Sequence, residues 1–213
     1  MQCALDLGPV SAAARTDARA DPGDDVLAQF TALRPPGGFG LIMADPPWSF
    51  DNWSAAGEGR NAKAHYDCTP LDWIKGLPVA ALAGDDCLLW LWATNPMLRE
   101  GLDVMQAWGF RFRTAGHWVK QTRTGKLAFG TGYILRSAGE PFLIGVRGAP
   151  RTTRSVRSVV MGEARAHSQK PEAGYAAAEA LMPDARRIEV FSRMNRPGWS
   201  VWGNEVGKLG AVP

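Results

Sequence analysis

"FGLIMADPPW", residues 39–48, is an uncharged, mostly apolar run that stops at one acid, two prolines and a tryptophan. Such a run suits a strand buried on both faces, as in parallel sheets. In an open α/β sheet, ligands and catalytic groups gather beyond the carboxyl ends of the strands, so Asp45 falls where chemistry is usual. Two consecutive prolines fix φ and withhold two backbone donors, which leaves the carbonyls of Asp45 and Pro46 free to face a ligand. Trp48 adds a flat ring able to stack on another flat ring. A planar ligand bearing an NH2 group complements this cluster; the plainer alternative is a strand-to-loop corner with Trp48 packed into the core.

Outward from this stretch, further apolar runs read as strands: "CLLWLW" (87–92), "HWVK" (117–120), "PFLIGV" (141–146), "RIEVF" (187–191) and "WSVWG" (199–203). Helical patterns lie between them. After Pro96, Leu98, Leu102 and Met105 recur at helical spacing, and after Pro171, Tyr175, Ala178, Leu181 and Met182 form one apolar face. The alternation predicts an α/β fold, a mostly parallel, doubly wound sheet covered on both faces. Residues 51–67 and 147–169 read as long loops, of a length that is usually functional or disordered. Residues 1–22, rich in Ala, Asp and Arg without an apolar period, read as a disordered leader, and residues 23–213 as a single domain.

Composition narrows the class. A chain of 213 residues with 46% hydrophobic content can bury a real core. No apolar stretch approaches the roughly 20 residues that span a bilayer, so a soluble, cytoplasmic protein with no membrane partner is expected. The three cysteines lack metal-ligand spacing, so no metal site is expected. Five Asp against two Arg in the first thirty residues leave the remaining chain more basic than its net charge of +3.

One such NH2 group is the exocyclic amine of adenine, a poor nucleophile because its lone pair is delocalised into the ring. Two acceptors, Asp45 and the Pro46 carbonyl, could bind both hydrogens and favour the more pyramidal nitrogen of the transition state. Alignment with an electrophilic methyl group supplies much of the remaining rate. In a duplex the base would first have to be flipped out.

Eight landmarks occur in order: "MADPPW" (43–48), Tyr66, "LLWLWATNP" (88–96), "GFRFRTAGHWVK" (109–120), "GTGYILRSAGEPFLIGVRG" (130–148), "HSQKPEAGY" (167–175), "RRIEVFSR" (186–193) and "GWSVWGNE" (198–205). In these the chain resembles the MT-A70-like adenine-N6 methyltransferases, a family named after the seventy-kilodalton subunit of the eukaryotic mRNA adenosine methyltransferase, with bacterial and phage members. The resemblance implies a Rossmann-like fold that uses S-adenosylmethionine, with permuted motif order: the catalytic tetrapeptide precedes the methionine-binding strand. It implies that Asp45 orients the target amine, that Pro46 and Pro47 shape the turn, and that Trp48 flanks the adenine. It further implies that Tyr66 closes over the site and that Lys170, Arg193, Asn204 and Glu205 contact the cofactor. Asn195 stands where some relatives carry a histidine-asparagine pair, and Glu189 lies within a strand, as a structural residue would. The dinucleotide fingerprint GxGxxG is absent.

The substrate expected by analogy is nucleic acid, DNA in preference to RNA. Arg147, Arg151, Arg154 and Arg157, and Arg60 and Lys63 in the other loop, are candidate phosphate contacts. Sequence specificity would come from these loops, from a partner, or from a second copy in a homodimer. The alternatives are an RNA adenosine N6-methyltransferase and a catalytically silent nucleic-acid-binding subunit of a methyltransferase complex.

Overall fold

The computed structural model describes residues 23–48, 70–130, 134–164, 169–204 and 206–207. In chain order its elements are α1 (Gly23–Leu33), β1 (Phe39–Ala44), α2 (Leu71–Gly76), β2 (Ala83–Trp92), α3 (Leu98–Ala107), β3 (Arg111–Gln121), β4 (Gly139–Arg147), β5 (Val159–Glu163), α4 (Glu172–Leu181), β6 (Arg187–Val190) and β7 (Trp199–Trp202). The strands form one seven-stranded sheet in the order β5-β3-β4-β2-β1-β6-β7.

Neighbouring residues of the buried strands serve opposite faces, as the two-residue period of a strand requires. Ile42, Ala44, Leu89 and Leu91 join the core beneath α1, α2 and α3, where Phe30, Ile74, Val104, Met105 and Trp108 are buried. Leu41, Met43, Leu88, Trp90 and Trp92 face the other way, toward Tyr175, Ala178 and Met182 of α4. This second core is aromatic: Trp90 stacks on Phe142 at 4.1 Å, and Trp92 meets Trp118 and Phe142 edge-on. The doubly wound, mostly parallel α/β architecture is thus present, as a Rossmann-like methyltransferase fold demands.

Three expectations need correction. "PFLIGV" lies in β4, which runs antiparallel to both β2 and β3, because a continuous apolar run reports burial on both faces and not direction. The supposed loop 147–169 contains β5, a five-residue edge strand parallel to β3. On α3 the buried stripe is Gly101, Val104 and Met105, while Leu98 and Leu102 are 37% and 40% exposed. Gly101 packs there against Leu143, so the helix presents its small side to the sheet. On α4 the expected face is the observed one, with Tyr175, Ala178 and Met182 buried. The 1–22 leader and the 51–67 loop lie outside the described residues.

Candidate active site

β1 pairs in parallel with β2 on one side and β6 on the other, which aligns the carboxyl ends of three central strands. Asp45 is the first residue past β1. Its neighbour across the β1–β6 pair is the turn that begins at Phe191, because Ala44 pairs with Val190. Phe191 has φ 67°, a left-handed conformation that a bulky residue rarely adopts, and it is held by edge contact with Trp202. The permuted order therefore leaves the tetrapeptide and the segment after β6 side by side.

β4 is reversed, so its first residues, rather than its last, arrive at this same edge. Gly139 makes that approach possible, since a Cβ there would stand 2.2 Å from the Trp118 carbonyl oxygen. Glu140 follows. From the opposite face α4 brings Lys170, one residue before the Pro171 cap, and the helix packs closely because Gly174 has no Cβ to strike the Trp92 ring. The result is a chain of alternating charges. Lys170 Nζ lies 2.7 Å from Asp45 Oδ2 and 3.2 Å from Glu140 Oε2, and Lys120 Nζ lies 2.5 Å from Glu140 Oε1. The Lys170 side chain is 6% exposed and that of Asp45 18%, so these ions interact in a largely dry setting.

Burial pushes the Asp45 carboxyl above the usual carboxylate range, with Lys170 opposing it and the Glu140 charge adding to it; Arg193 also acts to lower it. Burial likewise acts to raise Glu140, but the two lysines together outweigh it and hold this carboxyl down at about 2. Burial would discharge Lys170, and the two carboxylates outweigh it, so its ammonium is held charged. Among the described residues Asp45 Oδ1 accepts no hydrogen bond, and it is the open acceptor of the cluster.

The rest of the tetrapeptide differs from expectation in detail. The Pro46 carbonyl is not free: it accepts the Trp48 N–H at 2.8 Å, keeping one lone pair for another donor. Trp48 is buried, and its indole N–H donates to the Trp92 carbonyl at 3.0 Å, which fixes the turn to the end of β2. Pro47 is half-buried between them.

Arg193 and Asn204 lie on the same edge, one in the turn after β6 and the other just past β7, and Asn204 is exposed. Arg151 and Arg154 are not brought to Asp45. Thr153 between them donates its N–H to the Leu181 carbonyl at the far end of α4, about 15 Å of helix from Lys170. Arg147, at the end of the reversed β4, donates to the Ala80 carbonyl on that far side. A hollow of about 420 Å³ lies there too, between Pro36–Gly40, Gly84–Asp86 and Asp184–Arg186. Tyr66, Glu205, Arg60 and Lys63 lie outside the described residues.

Glu189 is buried in β6, accepting the Tyr175 hydroxyl at 2.6 Å and the Ser192 hydroxyl at 2.8 Å. Arg196 covers the Tyr175 ring at 3.7 Å and pairs with Glu172. Sequence reasoning missed Glu140 and Lys120. Both carried a signal, as the lone charges at the ends of "GEPFLIGV" and "HWVK".

An aspartate with one oxygen tied and one open, at the carboxyl edge of a permuted α/β sheet, agrees with what comparison finds. The MT-A70 family model matches residues 39–205. The chain is 32% identical to an N(6)-adenosine-methyltransferase MT-A70-like protein of Arabidopsis thaliana over 80% of its own length and 24% of that protein. It is 31% identical to the human N(6)-adenosine-methyltransferase catalytic subunit METTL3 over 80% of its length and 28% of that protein. To the type II methyltransferase M.MunI of Mycoplasma sp it is 27% identical, over 91% of this chain and 87% of the relative. It spans about a quarter of the length of the first of these relatives. Fold, motif order and these matches agree: the chain belongs to the MT-A70 family.

Proposed function

We propose that the protein is an adenine-N6 methyltransferase that uses S-adenosylmethionine and acts on nucleic acid, with DNA as the preferred substrate. The observation that carries this reading is Asp45, whose Oδ2 is tied to Lys170 while Oδ1 stays open at the strand end. Oδ1 accepts one hydrogen of the adenine amine, and the remaining lone pair of the Pro46 carbonyl accepts the other. That pair of acceptors concentrates electron density on the nitrogen and takes up positive charge as it develops there. Trp48 acts through the turn, keeping both acceptors in place by its bond to the Trp92 carbonyl.

S-adenosylmethionine would supply an electrophilic methyl group on a sulfonium. Arg193 and Asn204, on the edge beside Asp45, are residues that would hold it, a role the sequence resemblance also implies for Glu205. The fit is supported by a permanent cation and an exposed amide at the ends of β6 and β7, where a polar ligand meets strand termini. Lys170 already serves two carboxylates, so its first role is to hold Asp45 rather than to hold the cofactor.

The DNA preference follows the match to M.MunI along nearly the whole of both chains. An RNA substrate is the second reading, favoured by the adenosine methyltransferases at 31–32% identity. Digestion to nucleosides and mass spectrometry, after incubation with S-adenosylmethionine and matched DNA and RNA oligonucleotides, distinguishes the two. N6-methyldeoxyadenosine is expected from wild type and none from Asp45→Ala. Oligonucleotide binding by both proteins without transfer by either would instead identify a silent binding subunit, and a homodimer would be seen by sedimentation.

A further inference from the structure

Four charges alternate along one largely buried strip at the carboxyl edge of the sheet, with Lys170 buried and Asp45, Glu140 and Lys120 half-buried. Each ammonium also lies against an indole, Lys170 at 5.6 Å from the Trp92 centroid and Lys120 at 4.7 Å from that of Trp118. The rings restrict where the ammonium groups can go and attract them weakly. Glu140 engages a cation with each oxygen, whereas Asp45 engages one with Oδ2 alone. One ammonium is thereby divided between two carboxylates, and whichever draws it more strongly loosens its hold on the other.

We propose that Glu140, anchored by Lys120, is a positioning residue that holds the Lys170 ammonium between two carboxylates and so keeps Asp45 Oδ1 open for the target amine. This rests on methyl transfer at Asp45 as proposed above. Without the Glu140 charge, Lys170 can turn wholly onto Asp45 and cover the oxygen the amine must reach. Without Lys120, Glu140 draws Lys170 harder and Asp45 loses part of its counter-ion. The two changes push Asp45 in opposite directions, which a residue that only supports the fold would not do.

The groups that act on Asp45 come from each surrounding element: Lys170 and Tyr175 from α4 and its entry, Glu140 from β4, and Glu189 and Arg193 from β6 and its turn. Of these, E140Q alters Glu140 and frees Lys170, and both effects favour the ionised Asp45. K120M leaves all five in place and alters only their balance.

The test is 13C NMR of carboxyl-labelled aspartate, with the Asp45 resonance assigned by its absence in Asp45→Asn, alongside pH profiles of methyl transfer. In E140Q the Asp45 midpoint should fall by about 1 on the pH scale, and in K120M it should rise by a smaller amount. The acid limb of kcat should move in the same two directions. E140Q should lower kcat about tenfold, with the KM for nucleic acid within about twofold of wild type. Midpoints that stay in place, or that move with the same sign, would overturn the proposal. If E140Q does not fold, an unmoved midpoint in K120M overturns it alone. A wild type that methylates no nucleic acid would sink the proposed function, while the NMR readout would still decide whether Glu140 sets Asp45.

Discussion

Asp45 and Glu189 are both carboxylates that burial pushes above their usual range, and they sit at or near the ends of adjacent parallel strands. They differ in how their oxygens are used. Both oxygens of Glu189 take a hydroxyl, from Tyr175 on α4 and from Ser192 in the following turn, so the group is closed and ties helix, strand and turn together. Asp45 has one oxygen bound to a cation and, among the described residues, one open. A buried carboxylate with a partner on each oxygen rigidifies a fold, whereas one with an oxygen left open is available for chemistry. Burial alone does not tell the two apart; the tally of partners does.

The largest expected effect breaks the open side. Asp45→Asn should lower methyl transfer by about 10² to 10³, the usual result of removing one preorganised electrostatic contact, with little change in melting temperature. Next is the shared cation. Lys170→Met leaves two half-buried carboxylates without it, Glu140 keeping only Lys120, and should destabilise the fold by about 2–4 kcal/mol in a urea titration at neutral pH. Part of that loss should return on acidification, as the carboxylates protonate.

In the unaltered protein Glu140 works with the opposite sign. Its folded value is depressed to about 2, so its contribution of about 3 kcal/mol is complete above its unfolded value and fades as pH falls toward 2. Urea midpoints across that window check it, and E140Q should flatten the decline. On the closed side, Tyr175→Phe removes one donor from Glu189. It should cost about 1–3 kcal/mol while transfer stays within about threefold of wild type. A thousandfold loss of transfer there would erase the contrast between the two carboxylates. Trp48→Phe, which removes the bond to the Trp92 carbonyl together with part of a buried ring, should cost about 1–3 kcal/mol, read from the same titration.

Much of this was readable in the residues. The strand ending at Asp45, the apolar face of α4 and the sheet class follow from period and burial, which local residue order encodes directly. Strand direction does not. "PFLIGV" reads the same whether parallel or antiparallel, and only the reversed β4 carries Glu140 to Asp45. The edge strand β5 escaped because Val159 and Met161 are exposed and only Val160 is buried, in a segment where arginines suggested a loop. Arg151 and Arg154 looked available to the site because their charge was visible and their place at the far end of α4 was not. Lys170 was identified, but its pairing with Asp45 is a long-range contact that no local pattern reports.

The strand order has a consequence for how the chain is made. Among the described residues β1 is the first strand synthesised, and one of its two partners, β6, follows only after β2, β3, β4 and β5 have been made. While the ribosome is still translating the middle of the protein, β1 can pair with β2, but its other edge presents the unpaired backbone of an apolar segment. Such an edge invites association between nascent chains until residues 187–190 emerge to cover it. A stop introduced just before β6 should therefore give an insoluble product rather than a smaller folded one, and β1 should complete its pairing only once residues 187–190 have been made.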